Sequence, residues 1–293
     1  QGFFITVFPK LGYVSLSWFT YDTERPDDGV TANLGEPGHR WLNALGEYAG
    51  NRVVMDISVA SGGLFDTSTD ITRVNDGTII LTFNDCNSGT VEYDIPSINR
   101  QGVVPIQRIA NDNIALCETL AEQSPAQVNS DKQTNTLSSV SKPTINALPL
   151  TAMNAGLNDA WYYPQTDGQG FFITVFGDLE LVTLSWFTYD TVRPDPGVTA
   201  NLGEPGHRWF NAAGNFAGTE AVMDISFASG GIFDTTTEIV RDSEGAGTII
   251  LTFSDCENGT VEYDIPSIDQ KGTVPIQRVS DDNVAMCEEL NTN

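Results

Sequence analysis

Basic residues are scarce in this chain. Fourteen lysines and arginines stand against 39 aspartates and glutamates, for a formal net charge of −25 over 293 residues. A protein that tracks a phosphate backbone needs a basic footprint, so nucleic acid is excluded as a partner class. Attraction to an anionic bilayer is disfavoured for the same reason. No apolar run reaches the roughly 18 residues of a membrane-crossing helix, so no membrane insertion is expected. There are only two histidines and four cysteines, with no C-x-x-C, and a zinc site is a poor reading. No G-x-S-x-G, H-E-x-x-H, P-loop or Rossmann fingerprint is present, so no catalytic residue is assigned. No signal peptide is visible either. The chain opens at Gln1 on a strand pattern, and the expectation is that processing or fragmentation has removed what came before. Acidity of this degree suits a secreted protein adapted to salty water; specific cation sites are the alternative.

What the chain has in abundance is itself. A stretch of about 120 residues is written twice. QGFFITVF at 1–8 returns at 169–176, SWFTYDT at 17–23 returns at 185–191, and GVTANLGEPGHRW at 29–41 returns at 197–209. VEYDIPSI at 91–98 returns at 261–268, and VPIQR at 104–108 returns at 274–278. The expected organisation is a first β-domain over 1–120, a linker over 121–155 and a second β-domain over 156–293. The linker run QSPAQVNSDKQTNTLSSVSKPT is rich in Ser, Thr, Gln and Asn and lacks aromatics, so it cannot form a core and reads as a flexible tether.

Within each copy the patterning is β. Val14, Leu16 and Trp18 alternate with Ser15 and Ser17; Val53, Met55, Ile57 and Val59 alternate with Asp56 and Ser58. Ile79, Leu81 and Phe83 share a face, as do Val91, Tyr93 and Ile95. Period-2 alternation of this kind marks antiparallel strands with one buried face. GFFITVF is apolar on both faces: one fills a core, and the other either packs under a second element or forms an exposed patch. HRWLNALGEYAG and GVVPIQRI are weaker strand candidates. Turns are marked at Arg25-Pro26-Asp27, Glu36-Pro37-Gly38, Ser61-Gly62-Gly63, Asn75-Asp76-Gly77 and Asn87-Ser88-Gly89. The second copy carries two extra residues at the fourth of these, which places that length change in a surface hairpin. The predicted fold class is all-β: two tandem antiparallel β-barrels or closed β-sandwiches of about seven to eight strands, each with a short C-terminal helix. Asp112 is the expected cap of the first helix, with Ile114, Cys117 and Leu120 on one face.

Four cysteines allow three pairings. The repeat selects one, Cys86 with Cys117 and Cys256 with Cys287, each closing a loop of about 30 residues and contributing roughly 3–4 kcal/mol. Disulfides imply an oxidising, extracytoplasmic compartment.

The copies differ in one respect. The second opens with a strand, Asp159, Ala160, Trp161, Tyr162, Tyr163 and Pro164, that has no counterpart before Gln1. The first copy is therefore expected to carry an open sheet edge. Three explanations compete: the strand lies upstream in a longer protein, it is dispensable, or another molecule supplies it by β-strand addition. Head-to-tail donation that does not close on itself builds a filament, so 159–164 is the candidate strand donor and a homo-oligomer or filament the candidate partner state.

Three groups are candidates for chemistry. His39, Arg40 and Trp41, with His207, Arg208 and Trp209, form a duplicated candidate binding loop; an acid–base role would draw on Glu36 or Glu204, whereas the structural reading is a turn with Arg40 stacked on an aromatic ring. The acids Asp22, Asp27 and Asp28, matched by Asp190 and Asp195, flank a turn. Asp66 and Asp70, matched by Asp234 and Glu238, are the candidate calcium ligands, although no EF-hand or nonapeptide pattern accompanies them. Solvated loop acids are the plainer account, and no cofactor is expected.

The run NDAWYYPQTDGQGFFITVF, followed by LSWFTYDT, GEPGHRW and the closing cysteine-containing DNVAMCEEL, resembles a family of secreted bacterial tandem β-repeat proteins with W-Y-x-P-x-x-x-G-x-G and W-F-x-Y-D motifs. The resemblance covers nearly all of both copies apart from the linker and the missing opening. It implies a secreted or cell-surface β-repeat protein and no particular activity. A vaguer likeness to avidin-like or lipocalin-like barrels rests on strand count and the early Trp-Tyr strand. The expected function is that of a secreted, non-catalytic structural or interaction protein, in one version a self-assembling extracellular filament or surface-array subunit using strand complementation. The alternatives are a barrel binding a small apolar molecule or glycan, and a hydrolase using the GEPGHRW loop.

Overall fold

The computed structural model describes residues 1–122 and 150–292. The expected tether falls mostly on 123–149, outside the described residues. The first repeat forms β1 (Gly2–Phe8), β2 (Tyr13–Tyr21), β3 (His39–Ala49), β4 (Arg52–Ser61), β5 (Thr72–Phe83), β6 (Ser88–Ile95), β7 (Arg100–Gln107) and α1 (Ile114–Glu122). The second forms β8 (Asp159–Tyr162), β9 (Gly170–Phe176), β10 (Leu181–Tyr189), β11 (His207–Ala217), β12 (Glu220–Ser229), β13 (Val240–Asp242), β14 (Thr248–Phe253), β15 (Asn258–Ile265), β16 (Gln270–Arg278) and α2 (Val284–Asn291). Each strand pairs antiparallel with its neighbours in the sheet, nearly always its neighbours in sequence. The first repeat is a seven-stranded sheet curled into a half-barrel; the second is a closed eight-stranded barrel, with β8 inserted between β9 and β16. The predicted all-β class with short C-terminal helices is what the chain forms.

The alternation seen in the sequence sets the cores. Val14, Leu16, Trp18, Val53, Met55, Ile57, Ile79, Leu81, Val91, Tyr93 and Ile95 are buried on the concave face of the first sheet. The weak strand candidate HRWLNALGEYAG forms β3, among the longest strands in the repeat. Asn75-Asp76-Gly77 lies inside β5 rather than in a hairpin. Asp56 faces Thr78 while Ser58 faces Asn75, so two residues of β5 oppose one of β4 in a β-bulge. Gly77 sits there at φ +96°, and an added Cβ would meet the Asp94 carbonyl oxygen at 1.9 Å. The two extra residues of the second repeat enlarge this bulge and divide the strand into β13 and β14. A bulge absorbs length as a hairpin does, which corrects the expected turn.

Both cystines form as the repeat requires, Cys86–Cys117 and Cys256–Cys287. The Asp112 carboxylate accepts from the Asp178 amide of the second repeat instead of capping α1, and Leu120 is exposed. Residues 150–155, expected to be linker, pack on the second barrel. The Thr151 amide donates to Phe253 O and the Met153 amide to Gly218 O, while Met153 and Leu157 enter the core. The turn Ala155–Leu157 lies against α2 so closely that a Cβ on Gly156 would meet Cys287 Cα at 2.4 Å. This turn covers the second cystine, so Cys256 and Cys287 are buried whereas Cys86 and Cys117 are partly exposed. Thiolate attack needs access to sulfur, so Cys86–Cys117 is expected to reduce first, on the order of tenfold faster than its twin under mild dithiothreitol. Timed alkylation with peptide mass mapping reads this directly; equal rates would contradict it.

Candidate functional site

The duplicated Gly-Glu-Pro-Gly-His-Arg-Trp segment opens with the expected turn, closed by the His39 amide on Glu36 O and the His207 amide on Glu204 O, and then runs into the interior. Its last three residues begin β3 and β11, where His39, Arg40, Trp41, His207, Arg208 and Trp209 are all at most 2% exposed. They form the contact between the repeats. Trp41 stacks on His207, with centroids 4.2 Å apart at 18°, and Trp209 stacks on His39 at 4.3 Å and 21°. The Trp41 indole N–H donates to Thr188 O and that of Trp209 to Thr20 O. The His39 Nε2–H donates to Ala228 O at 2.6 Å, and the His207 Nε2–H to Ala60 O at 2.7 Å. Each bond crosses from one repeat to the other and has a mirror-image twin.

The acids join the same interlock. Arg40 pairs with Asp22 at 2.8 Å, and Arg208 with Asp190 at 2.8 Å, in place of the expected stacking on a ring. Each carboxylate also accepts amides from the opposite repeat: Asn201 and Leu202 donate to Asp22, and Asn33 and Leu34 to Asp190. Glu36 accepts from the Gly230 amide and Glu204 from the Gly62 amide, each at 2.8 Å. Neither carboxylate bonds an imidazole; the histidine rings are tied to Ala228 O and Ala60 O instead. Burial pushes both glutamate pKa values up and both histidine pKa values down, the latter to about 3, so the imidazoles are neutral. Their Nδ1 atoms have no hydrogen-bond partner among the described residues. A buried, neutral imidazole stacked on indole and tied to a carbonyl is a structural element with no solvent-facing reactive atom.

The interlock also exchanges core residues. Leu202 and Phe233 of the second repeat fill the first core, and Leu34 and Phe65 of the first fill the second. Phe4 stacks on Phe172 at 5.1 Å, which gives the outer face of GFFITVF its covering. The Asp66 and Asp234 carboxylates accept from Tyr263 and Tyr93 hydroxyls of the opposite repeat, while Asp70 and Glu238 are exposed. The four candidate calcium ligands do not converge, and among the described residues no cluster of three or more His, Cys, Asp or Glu side chains is gathered for a metal. Trp161, Trp186, Phe210, Met223 and Phe253 fill the second barrel with side chains.

The repeats differ at the seam between their first and last strands. In the second repeat the candidate donor segment is engaged in its own barrel. Asp159, Ala160 and Trp161 pair with Ile173, Phe172 and Phe171 of β9; Trp161 and Tyr162 pair with Arg278 and Gln277 of β16. Tyr163 and Pro164 lie beyond the strand. Arg278 is the fastener: its Nη1 donates to Asp159 at 2.6 Å, its Nε to Cys256 O and its Nη2 to Gly156 O, and its guanidinium lies 4.5 Å over the Trp161 ring. In the first repeat β1 and β7 are the two ends of the sheet, and neither has a partner there among the described residues. Val7 is 39% exposed where its counterpart Val175 is fully buried, and Phe3, Ile5, Val104 and Ile106 are partly exposed where their counterparts are buried. Arg108, the counterpart of Arg278, keeps its Nε bond to Cys86 O at 2.6 Å. Its terminal nitrogens have no partner among the described residues. Sequence reasoning located this gap through the unmatched DAWYYP but missed its lining; the alignment of Arg108 with Arg278 was the available signal.

Compared with protein-family models, curated proteins and solved structures, the chain matches none. No described helix is long and apolar enough to cross a membrane.

Proposed function

We propose that this is a secreted, non-catalytic interaction protein that works by β-strand complementation: the first barrel is completed by a strand that lies outside residues 1–122. The observation that carries this reading is the contrast between the two seams, one closed by Asp159–Tyr162 and the other presenting, among the described residues, two unpaired strand edges and partly exposed apolar side chains. Unpaired edges are normally blunted or covered, because they template pairing with other chains. Further support comes from the candidate acid–base residues His39, His207, Glu36 and Glu204, whose side chains all bond the opposite repeat. The two cystines fit an oxidising, extracellular setting, in line with the resemblance to secreted bacterial β-repeat proteins. The interlock joins a closed barrel to a half-barrel whose edge strands β1 and β7 have no outer partner among the described residues. A donor that itself carried such edges would propagate the contact head to tail into a filament; Asp159–Tyr162, held in its own barrel, is the template for the donor rather than the donor.

The test is a synthetic peptide with the sequence of residues 154–163, added to the whole chain. Amide exchange is expected to slow at Phe3–Val7 and Gln107–Ile109, and Cys86–Cys117 to become as slow to reduce as its twin. Unchanged exchange at both edges with millimolar peptide would end the reading.

A further inference from the structure

The closed barrel is a template for what the open one accepts. Resting on the complementation reading above, we propose that the seam selects its incoming strand by sequence: the strand that completes the first barrel has the form Gly-Leu-Asn-Asp-Ala-Trp-Tyr, with the aspartate received by Arg108 and the tryptophan lodged between Arg108 and Phe83.

Each position follows from an observed contact and its vacant counterpart. The Asp159 carboxylate, 4% exposed, takes the Nη1 of Arg278; in the first repeat Arg108 keeps the same carbonyl bond, is exposed, and has no carboxylate partner among the described residues. Two charges brought together away from water attract strongly, and a lone guanidinium facing an apolar strand is penalised, so the site discriminates for an acid at that position. Trp161 sits under the Arg278 guanidinium and against Phe253 with centroids 4.9 Å apart. Phe83 is the counterpart of Phe253 and is only partly buried in the first core. Upstream, the Asn158 side chain accepts from the Val175 amide at 2.5 Å, and the counterpart amide is that of Val7, the most exposed apolar residue of β1. Downstream, Gln277 donates to the Tyr162 hydroxyl at 2.8 Å, and Gln107 offers the same group. The Val279 amide donates to Ala160 O at 3.1 Å; its counterpart is Ile109, which is 90% exposed. Gly156 is obligatory because the strand's approach passes against a cystine, and Cys117 occupies the place of Cys287. The register is therefore fixed: Asp opposite Ile5, Ala opposite Phe4, Trp opposite Phe3 and Arg108, Tyr opposite Gln107.

The experiment measures affinity of the whole chain for fluorescently labelled peptides of residues 154–163, with exchange mapping of each complex. Changing the aspartate corresponding to Asp159 to Asn should weaken binding by at least about tenfold, and changing the tryptophan corresponding to Trp161 to Ala by about a hundredfold. In Arg108→Gln protein the preference for Asp over Asn should vanish while the Trp dependence persists, a pattern that a general loss of folding cannot produce. Tight binding of all peptides alike, with protection at β1 and β7, would overturn the sequence selection and leave complementation standing. Absence of binding by any peptide would remove complementation itself. Protection at β9 and β16 instead would mean displacement of β8, and would overturn the assignment to the first barrel.

Discussion

Replacing Asp22 by alanine is expected to destabilise the whole chain by about 3–5 kcal/mol, the penalty for stranding a buried charge. The Asp22 carboxylate holds Arg40 at 2.8 Å in a setting where both side chains are at most 6% exposed. It also receives the Thr23 amide of its own repeat and the Asn201 and Leu202 amides of the other. Alanine removes all four acceptances at once. Arg40 retains the carbonyls of Pro37 and His39, which solvate it in part but do not neutralise it. Leu202 is fully buried in the first core and is held there by its amide bond to Asp22, so the packing of a core residue is lost with the charge. In a molecule of this size the midpoint of thermal unfolding should fall on the order of 10 °C. Asp190→Ala should have a matching effect, because its contacts with Arg208, Asn33 and Leu34 repeat the set in mirror image. Asp22→Asn should be milder, since an amide oxygen still accepts from the backbone. Calorimetry of the three variants checks this ordering; a change below 1 °C in both alanine variants would mean that the carboxylates are not what joins the repeats.

The elements legible in the sequence were those whose burial is decided within one repeat. Val14-Leu16-Trp18 and Val53-Met55-Ile57 alternate because one face of each strand meets its own core, and the cystine pairing follows because the repeat is written twice. The interlock was not legible for the same reason. Two nearly identical copies look self-sufficient, and nothing in His39-Arg40-Trp41 indicates that the surface covering them belongs to the other copy. Polar residues at the head of β3 weakened its strand pattern, although His39 bonds Ala228 O across the interface and Arg40 pairs with Asp22 of its own repeat. The one hint was GFFITVF, apolar on both faces, whose outer Phe4 proves to stack on Phe172. Asn75-Asp76-Gly77 reads as a turn by composition because a bulge and a turn need the same positive-φ glycine. Residues 150–155 read as linker because a short turn capped by Asn154 has no periodicity to detect, yet Met153 and the neighbouring Leu157 close the base of the barrel.

The scarcity of histidine turns out to matter most on acidification. Below pH 6.5 the chain is expected to lose stability steeply, and both histidines are the cause. Each imidazole is fully buried and neutral, with its pKa pushed down to about 3 by burial and by the nearby Arg40 and Arg208 guanidinium groups. In the unfolded chain each titrates near 6.5. The unfolded state therefore binds protons that the folded state refuses, and stability present above pH 6.5 is lost as pH falls toward 3. The slope is about 1.4 kcal/mol per pH unit per histidine, so the pair removes roughly 4 kcal/mol by pH 5. Protonation in place has no outlet: among the described residues a proton on Nδ1 would meet no acceptor, and a Cβ added at Gly35 or Gly203 would come within about 3 Å of that nitrogen. Other groups act in the opposite sense. Glu36, Glu204, Asp66 and Asp159 have pKa values raised by burial, so they take up protons in the folded state first and offset part of the loss as pH falls through their raised values. Comparison with a His39→Gln, His207→Gln double variant isolates the histidine contribution, since the carboxylates are common to both proteins. Glutamine keeps a donor for Ala228 O and Ala60 O but cannot titrate. Urea unfolding at pH 7 and pH 5 should show the native chain losing roughly 4 kcal/mol more than the variant over that interval. Equal losses would mean that the imidazoles are reached by solvent, and with that the dry contact between the two barrels would have to be abandoned.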